Sequence, residues 1–213
     1  MLFQVPERPD TAHLMNDPWI ALSSIQKSIR RGDTDNALTA TTFLIDSHAD
    51  RFWRRLCVIA MEDIGIGDLA TVRDVMLAST RKSWRQQIGE WEIAAELVFR
   101  LCAARKSRDT EHQLVTADHD PALAAQRSTF LDLSPSQLCD ILSDASRPLP
   151  ERTLAAWLIA GTKRFPTWFL PQKAGSFGDL IECYRHRGVP EDVLEIARLG
   201  SVRMQEGPPL ALP

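Results

Sequence analysis

The sequence predicts an all-α protein, on three observations. Apolar residues recur at three- and four-residue spacing along most of the chain. Helix-starting pairs such as Asp17-Pro18 and Ser134-Pro135 stand directly before several of these periods. No segment alternates apolar and polar residues in the way a half-buried strand does. Short turns between the periods imply an antiparallel helical bundle or short α-solenoid of about nine to ten helices. No repeat of fixed length is present.

Residues 1–18 hold three prolines and no period, and read as an N-terminal arm. A first helix is expected from Trp19 to Arg30, with Asp17 as N-cap and Pro18 at its first position. Ile20, Leu22, Ile25 and Ile29 fall largely on one stripe, and Gly32 stops it. Asp33 or Asp35 caps a second helix, carrying Ala37, Leu38, Phe43, Leu44 and Ile45 to about Ser47. A third is expected from Asp50 to Asp63, burying Phe52, Leu56, Ile59 and Ala60 and ended by Gly65 and Gly67. Asp68 caps a fourth through Val72, Val75, Met76 and Leu77. The longest is expected at 84–104, where Ile88, Trp91, Ala95, Val98, Leu101 and Cys102 repeat at helical spacing.

The second half reads as shorter helices near 121–131, 135–145, 150–164, 177–187 and 190–199, after a polar stretch at 105–119. The loop 165–176 is unusually aromatic, with Phe165, Trp168 and Phe169. The expected organisation is an arm (1–18), a helical core (19–108), further helices packed on that core or forming a small subdomain (109–206) and a Pro-rich tail (207–213), disordered or lying along the surface.

The 213 residues are 44% hydrophobic and 25% charged, an ordinary globular composition. No apolar run is long enough to span a membrane, and residues 1–8 lack the pattern of a secretory signal. The expected setting is therefore the cytoplasm. Cys57, Cys102, Cys139 and Cys183 lie far apart in apolar stretches, without C-x-x-C spacing, and read as small buried hydrophobes. Residues 19–108 carry a net charge of +3 and residues 109–213 one of −4. The first value alone is too small to diagnose nucleic-acid binding.

Two motifs stand out. The first is Lys27-Ser28-x-Arg30 followed by Asp33-x-Asp35-x-Ala37-Leu38. The second runs from Arg54-Arg55-Leu56 to Ala60, then Glu62-Asp63-Ile64-Gly65 and Asp68. In this order they resemble the C-terminal helical domain of the replication-associated recombination protein A family of DNA-maintenance ATPases. Lys106-Ser107 resembles a turn of that family more weakly. The match spans roughly residues 13–108. The resemblance implies a clamp-loader-collar-like fold in the first half and a role in oligomer assembly. It also implies a setting at stalled forks or single-stranded gaps, with the chain itself or a separate AAA+ ATPase as partner. Three departures accompany it. No Gly-Lys pair occurs, so there is no phosphate-cradling loop and no ATPase activity is expected. Arg31 and Gly32 displace the family's turn by one residue. Beyond residue 108 the family pattern is lost. Met1 and the family-like start near His13 fit a short independent gene.

Glu62 and Asp63 occupy a helix's last turn, where carboxylates oppose the dipole. The structural reading is that they accept N–H groups from the next helix or pair with Arg30, Arg54 or Arg55. The functional one is a metal or acid/base cluster with Asp68 and a histidine. Arg51 and Arg55 share a helical face, with Arg54 aside. Positive charge at Lys27, Arg30 and Arg31 suits a helix C-terminus, and ion pairs to Asp33, Asp35 and Asp50 would account for these cations. Alternatively they form one phosphate-binding surface with Lys82, Arg85, Lys106 and Arg108. His112, His119, Asp118 and Asp120 match no ligand spacing and read as a solvated loop. Trp91 and Trp157 read as core anchors; for Trp53, Trp84 and Trp168 packing between helices is the main reading, with base stacking or a partner contact as the alternative. No catalytic, metal or cofactor-binding residue is assigned, and no cofactor is expected. The favoured function is a non-catalytic oligomerisation or interaction module, with direct DNA binding as the alternative and a metal-dependent enzyme behind both.

Overall fold

The computed structural model describes residues 5–10, 16–163 and 167–205. Among these residues there are eleven α-helices and no strand. No described helix is long and apolar enough to cross a membrane. The expected tail at 207–213, Phe165 and Pro166 of the aromatic loop, and His13 in the arm lie outside the described residues. The chain divides into two compact units, Met1–Arg108 and Asp109–Pro213.

In the first unit α1 spans Pro18–Arg31, with the Asp17 carboxylate accepting the Trp19 amide at 2.8 Å and Gly32 ending it. Helix α2 spans Thr34–Ile59. Two separate helices are expected here from the residue pattern. They join without a gap and bend at His48, whose φ of −146° and ψ of 41° leave the helical region. Asp33 caps α2 through the Asn36 amide at 3.2 Å. The end of the expected third helix widens into one π turn, Ala60–Ile64, followed by a 3₁₀ turn at Gly65–Gly67. Then come α3 (Leu69–Thr80), α4 (Lys82–Ile88) and α5 (Glu90–Ala103).

The expected long helix at 84–104 is thus two helices. Gly89 divides them at a φ of 125°, a conformation open to glycine and costly for other residues. The apolar spacing runs on across the break although Trp84 and Ile88 on α4 are exposed, so periodicity concealed the corner.

The apolar core of this unit is built mainly from α1, α2, α3 and α5. Ile25 and Ile29 come from α1, and Leu44, Phe52, Trp53, Leu56 and Ile59 from α2. Val75 and Met76 on α3 and Leu101 on α5 complete it. Each such side chain contributes roughly 1.5–3 kcal/mol by leaving water. Close packing reaches the backbone at Gly67, where an added Cβ would stand 2.2 Å from the Arg105 carbonyl oxygen.

The second unit contains α6 (Asp109–His119), a 3₁₀ turn (Pro121–Leu123), α7 (Ala124–Leu131), α8 (Pro135–Ser143), α9 (Leu149–Ala160), α10 (Phe177–His186) and α11 (Glu191–Gln205). Helix α9 is central, packing on α6, α7, α8 and α10. Its Leu154, Leu158 and Ile159 meet Ala117, Leu123, Phe130, Leu138 and Leu142. Ser134 and Gln137 form the reciprocal capping box that starts α8.

Two of the four cysteines differ from their sequence reading. Cys139 on α8 and Cys183 on α10 form a disulfide, with Cα atoms 5.9 Å apart. Their separation of 44 residues left no local spacing to betray the pairing. Cys57 and Cys102 are buried thiols, as expected.

Candidate functional site

The motif residues of the first unit meet along the seam between α1 and the second half of α2. Four contacts run along it. The Arg51 guanidinium lies 5.8 Å from the centre of the Trp19 ring. Arg55 Nη1 donates to Gln26 Oε1 at 3.3 Å. Arg30 Nε donates to Asp63 Oδ1 at 2.5 Å, and Gln26 Nε2 donates to Asp63 Oδ2 at 3.1 Å. Asp63 is fully buried. Its charge, unfavourable at a helix end, is offset by a guanidinium and an amide. The π turn supplies the extra residue that carries this carboxylate round to α1.

The remaining motif positions are joinery of the same kind. Asp68 caps α3, accepting the Thr71 amide at 3.0 Å and the Thr71 hydroxyl at 2.6 Å. These bonds hold its carboxyl below the ordinary value. Asp33 is lowered in the same way by Asn36. The Ser28 carbonyl accepts the Asp33 amide at 2.9 Å. Lys106 Nζ donates to the carbonyls of Leu101, Cys102 and Ala104 at 2.7–3.0 Å, satisfying the end of α5. Burial lowers its ammonium below the usual range. Ser107 N donates to the Asp63 carbonyl at 3.0 Å. Glu62 is half-buried, Gly65 has a φ of 47°, and Asp35 and Arg54 are exposed.

The basic surface of the alternative reading does not include all of its residues. Arg85 is buried, donating to Glu90 at 2.9 Å and to the Ala78 and Ser79 carbonyls, with its guanidinium 4.4 Å from the centre of Trp53. Lys106 is turned onto a helix end, and Arg30 is paired with Asp63 rather than with Asp33 or Asp35. Lys27, Arg31, Arg51, Lys82 and Arg108 are exposed. Trp53, a candidate for base stacking, is fully buried and donates its indole N–H to Glu90 at 2.5 Å. The metal alternative fares no better geometrically. Asp63 and Asp68 each have both oxygens engaged, and no group of three potential ligands occurs among the described residues.

The feature least visible in the sequence is a groove of about 440 Å³ between α3, α4 and α5. Leu77, Ala78, Ile93 and Leu97 give it apolar walls, and Trp84 and Ile88 on α4 stand exposed beside them. Asp74, Arg81, Glu92, Glu96 and Arg100 are its charged groups. Glu96 Oε2 is buried without a hydrogen-bond partner. Desolvation raises its carboxyl above the ordinary value, only partly offset by Arg100. The Gly89 corner makes this groove, because an unbroken helix would place α4 in line with α5. A charged residue inside an apolar stripe was the signal available at Glu96.

The second unit displays an aromatic loop. Asp118, buried on α6, accepts the amides of Trp168, Phe169 and Leu170 at 3.0, 2.7 and 2.6 Å. Burial opposes this charge, yet the three N–H donors hold its carboxyl below the ordinary value. The loop presents Trp168 and Phe169 to solvent at 83% and 62% exposure. His119 meets the Phe169 ring edge-on at 5.6 Å. Asp118, expected in a solvated loop, is therefore an anchor. No family model matches the chain, and neither does any curated protein.

Proposed function

We propose that the chain is a non-catalytic helical interaction module, acting with a second copy or with a separate ATPase in a cytoplasmic replication or repair setting. The observation that carries the interaction reading is the apolar groove of the first unit with Trp84 and Ile88 exposed beside it. Exposed apolar patches of this kind favour burial against a partner. The motif residues support a scaffold role, since Arg30, Asp63, Asp68, Lys106 and Ser107 hold helices together. The replication and repair setting rests on the motif resemblance alone.

Light scattering coupled to size exclusion over a wide concentration range tests it, on the wild type and Trp84→Glu/Ile88→Glu. A defined oligomer, or a complex with an added ATPase, that the variant loses supports the module. A protein that stays monomeric and binds no partner through this face overturns it.

One observation favours a second reading, direct binding of single-stranded DNA. Arg51 lies over Trp19, which is 68% exposed, with Arg55 one turn further along α2. A cation beside an exposed ring is a stacking platform for bases. Under this reading Arg51→Glu/Arg55→Glu abolishes binding to a labelled oligonucleotide and leaves any assembly intact.

The cytoplasmic part of the proposal meets resistance from the Cys139–Cys183 bond, because structural disulfides are rare in reducing compartments. Thiol counting on protein quenched directly from cells decides that point.

A further inference from the structure

We infer that the α3–α5 groove receives an apolar helical segment of a partner protein carrying one cationic side chain, and that Glu96 is the residue that meets the cation. This rests on the interaction-module reading and names the chemistry of the partner.

Glu96 is a carboxylate set among Ile93, Leu97 and Leu77, with one oxygen buried and unpartnered. A carboxylate in apolar surroundings attracts a cation brought against the groove more strongly than one in water does. The cation nearest in sequence is not available to it. Arg100, one helical turn on, donates Nη1 to Asp74 at 2.8 Å and Nη2 to the Thr71 hydroxyl at 3.0 Å. That pairing also neutralises Asp74. Glu92 folds back over Gly89, where an added Cβ would lie 1.9 Å from Oε2. Arg81 is exposed and is not among the groups that shift Glu96. The groove therefore carries three carboxylates against two guanidiniums.

The apolar walls select the rest of the ligand. A lysine stem covers apolar surface while its ammonium reaches a carboxylate, and the exposed Trp84 ring favours a cation as well. A groove of about 440 Å³ holds a few side chains, the number that one face of a helix presents at i, i+3 and i+4. Phosphate and acidic segments are disfavoured by Glu92 and Glu96.

The probe is a pair of synthetic amphipathic helical peptides, identical except for Lys or Glu at the centre of a leucine face. Binding to the full chain is read by NMR at the Trp84 indole and the Leu77, Ile88 and Ile93 methyls. The expected result is shifts at these groups and at least about tenfold tighter binding of the Lys peptide. Glu96→Gln keeps the shape and removes the charge, and is expected to cut that preference to about twofold or less. Ile88→Lys, at an exposed position, gives a second variant should Glu96→Gln not fold, and is expected to weaken the Lys peptide. No shift at the groove, equal binding of the two peptides, or a Lys preference that survives Glu96→Gln overturns the inference. So does movement of the same signals with protein concentration alone, which would seat a second copy there. If the peptides fail while scattering still shows assembly through Trp84 and Ile88, the cation site falls and the module reading stands. If both fail, both fall.

Discussion

The two units place their buried charges differently. In the first, a buried carboxylate is met by side chains: Asp63 by Arg30 and Gln26. In the second, the buried carboxylate Asp118 is met by three backbone amides. Cations reach for backbone carbonyls in both units, Arg85 and Lys106 in the first and several in the second. Arg127 donates to the Ala117 and Asp120 carbonyls, Arg152 and Arg187 to that of Leu142, and Lys173 to those of Leu131 and Leu133. Side-chain pairs tie helix to helix and leave recognisable residue types at fixed spacing. Side-chain-to-backbone bonds tie loops to helices and accept almost any sequence in the loop. The first arrangement is legible as motif, and the second is not.

The largest expected effect breaks the second unit alone. Reduction, or Cys183→Ser, removes a cross-link spanning 44 residues. The chain-entropy account sets its worth at about 4 kcal/mol. Calorimetry with and without reductant is expected to shift unfolding of residues 109–205 and leave the first unit unchanged; equal shifts would dissolve the contrast.

Next is Arg85→Ala in the first unit. It takes the guanidinium from the half-buried Glu90 carboxylate and from two carbonyls, and removes the cation over the Trp53 ring. A cost of about 3 kcal/mol in urea unfolding is expected. A cost below about 1 kcal/mol would return Arg85 to the surface set.

Asp118→Asn sharpens the comparison. It exchanges a carboxylate accepting three amides for a group that repels some of them, at about 2 kcal/mol. Asp118 also predicts a direction in pH. Its carboxyl is lower in the folded protein than its ordinary value, so the stabilisation is complete above the unfolded value, near 3.8, and is lost as pH falls through the folded one. Hydrogen exchange at Trp168, Phe169 and Leu170 is expected to lose protection in that acid range. Protection unchanged below it, or lost already near neutrality, contradicts the assignment.

The smallest expected effect is on the first unit's exposed seam. Arg51→Glu changes stability by at most about 0.5 kcal/mol, since the side chain is exposed. A larger loss in thermal unfolding would mean that the Trp19 contact carries structure.

Legibility in the sequence followed locality. The Asp17, Asp33, Asp68 and Ser134 caps were readable because a cap is a short-range event. The Gly89 corner was not, because apolar spacing continued through it, and the bend at His48 was mistaken for an interval between helices. Arg85 shows the limit most plainly. Its residue type is common on surfaces, and its place over Trp53 between α2 and α4 buries it. The groove depends on that same corner, so Glu96 was read as part of a helix and not as part of a site.

The π turn at Ala60–Ile64 has a consequence for length. It amounts to one inserted residue in an otherwise regular helix. Deleting Met61 would let the α-helical ladder close and rotate everything after it by about 100°. Asp63 would swing away from Arg30, its carbonyl would leave Ser107, and Gly67 would no longer lie under Arg105. Substitutions in this segment are local events, whereas a change of one residue in its length uncouples three contacts at once. The spacing between Arg55 and Asp68 is thus held by phase as much as by composition.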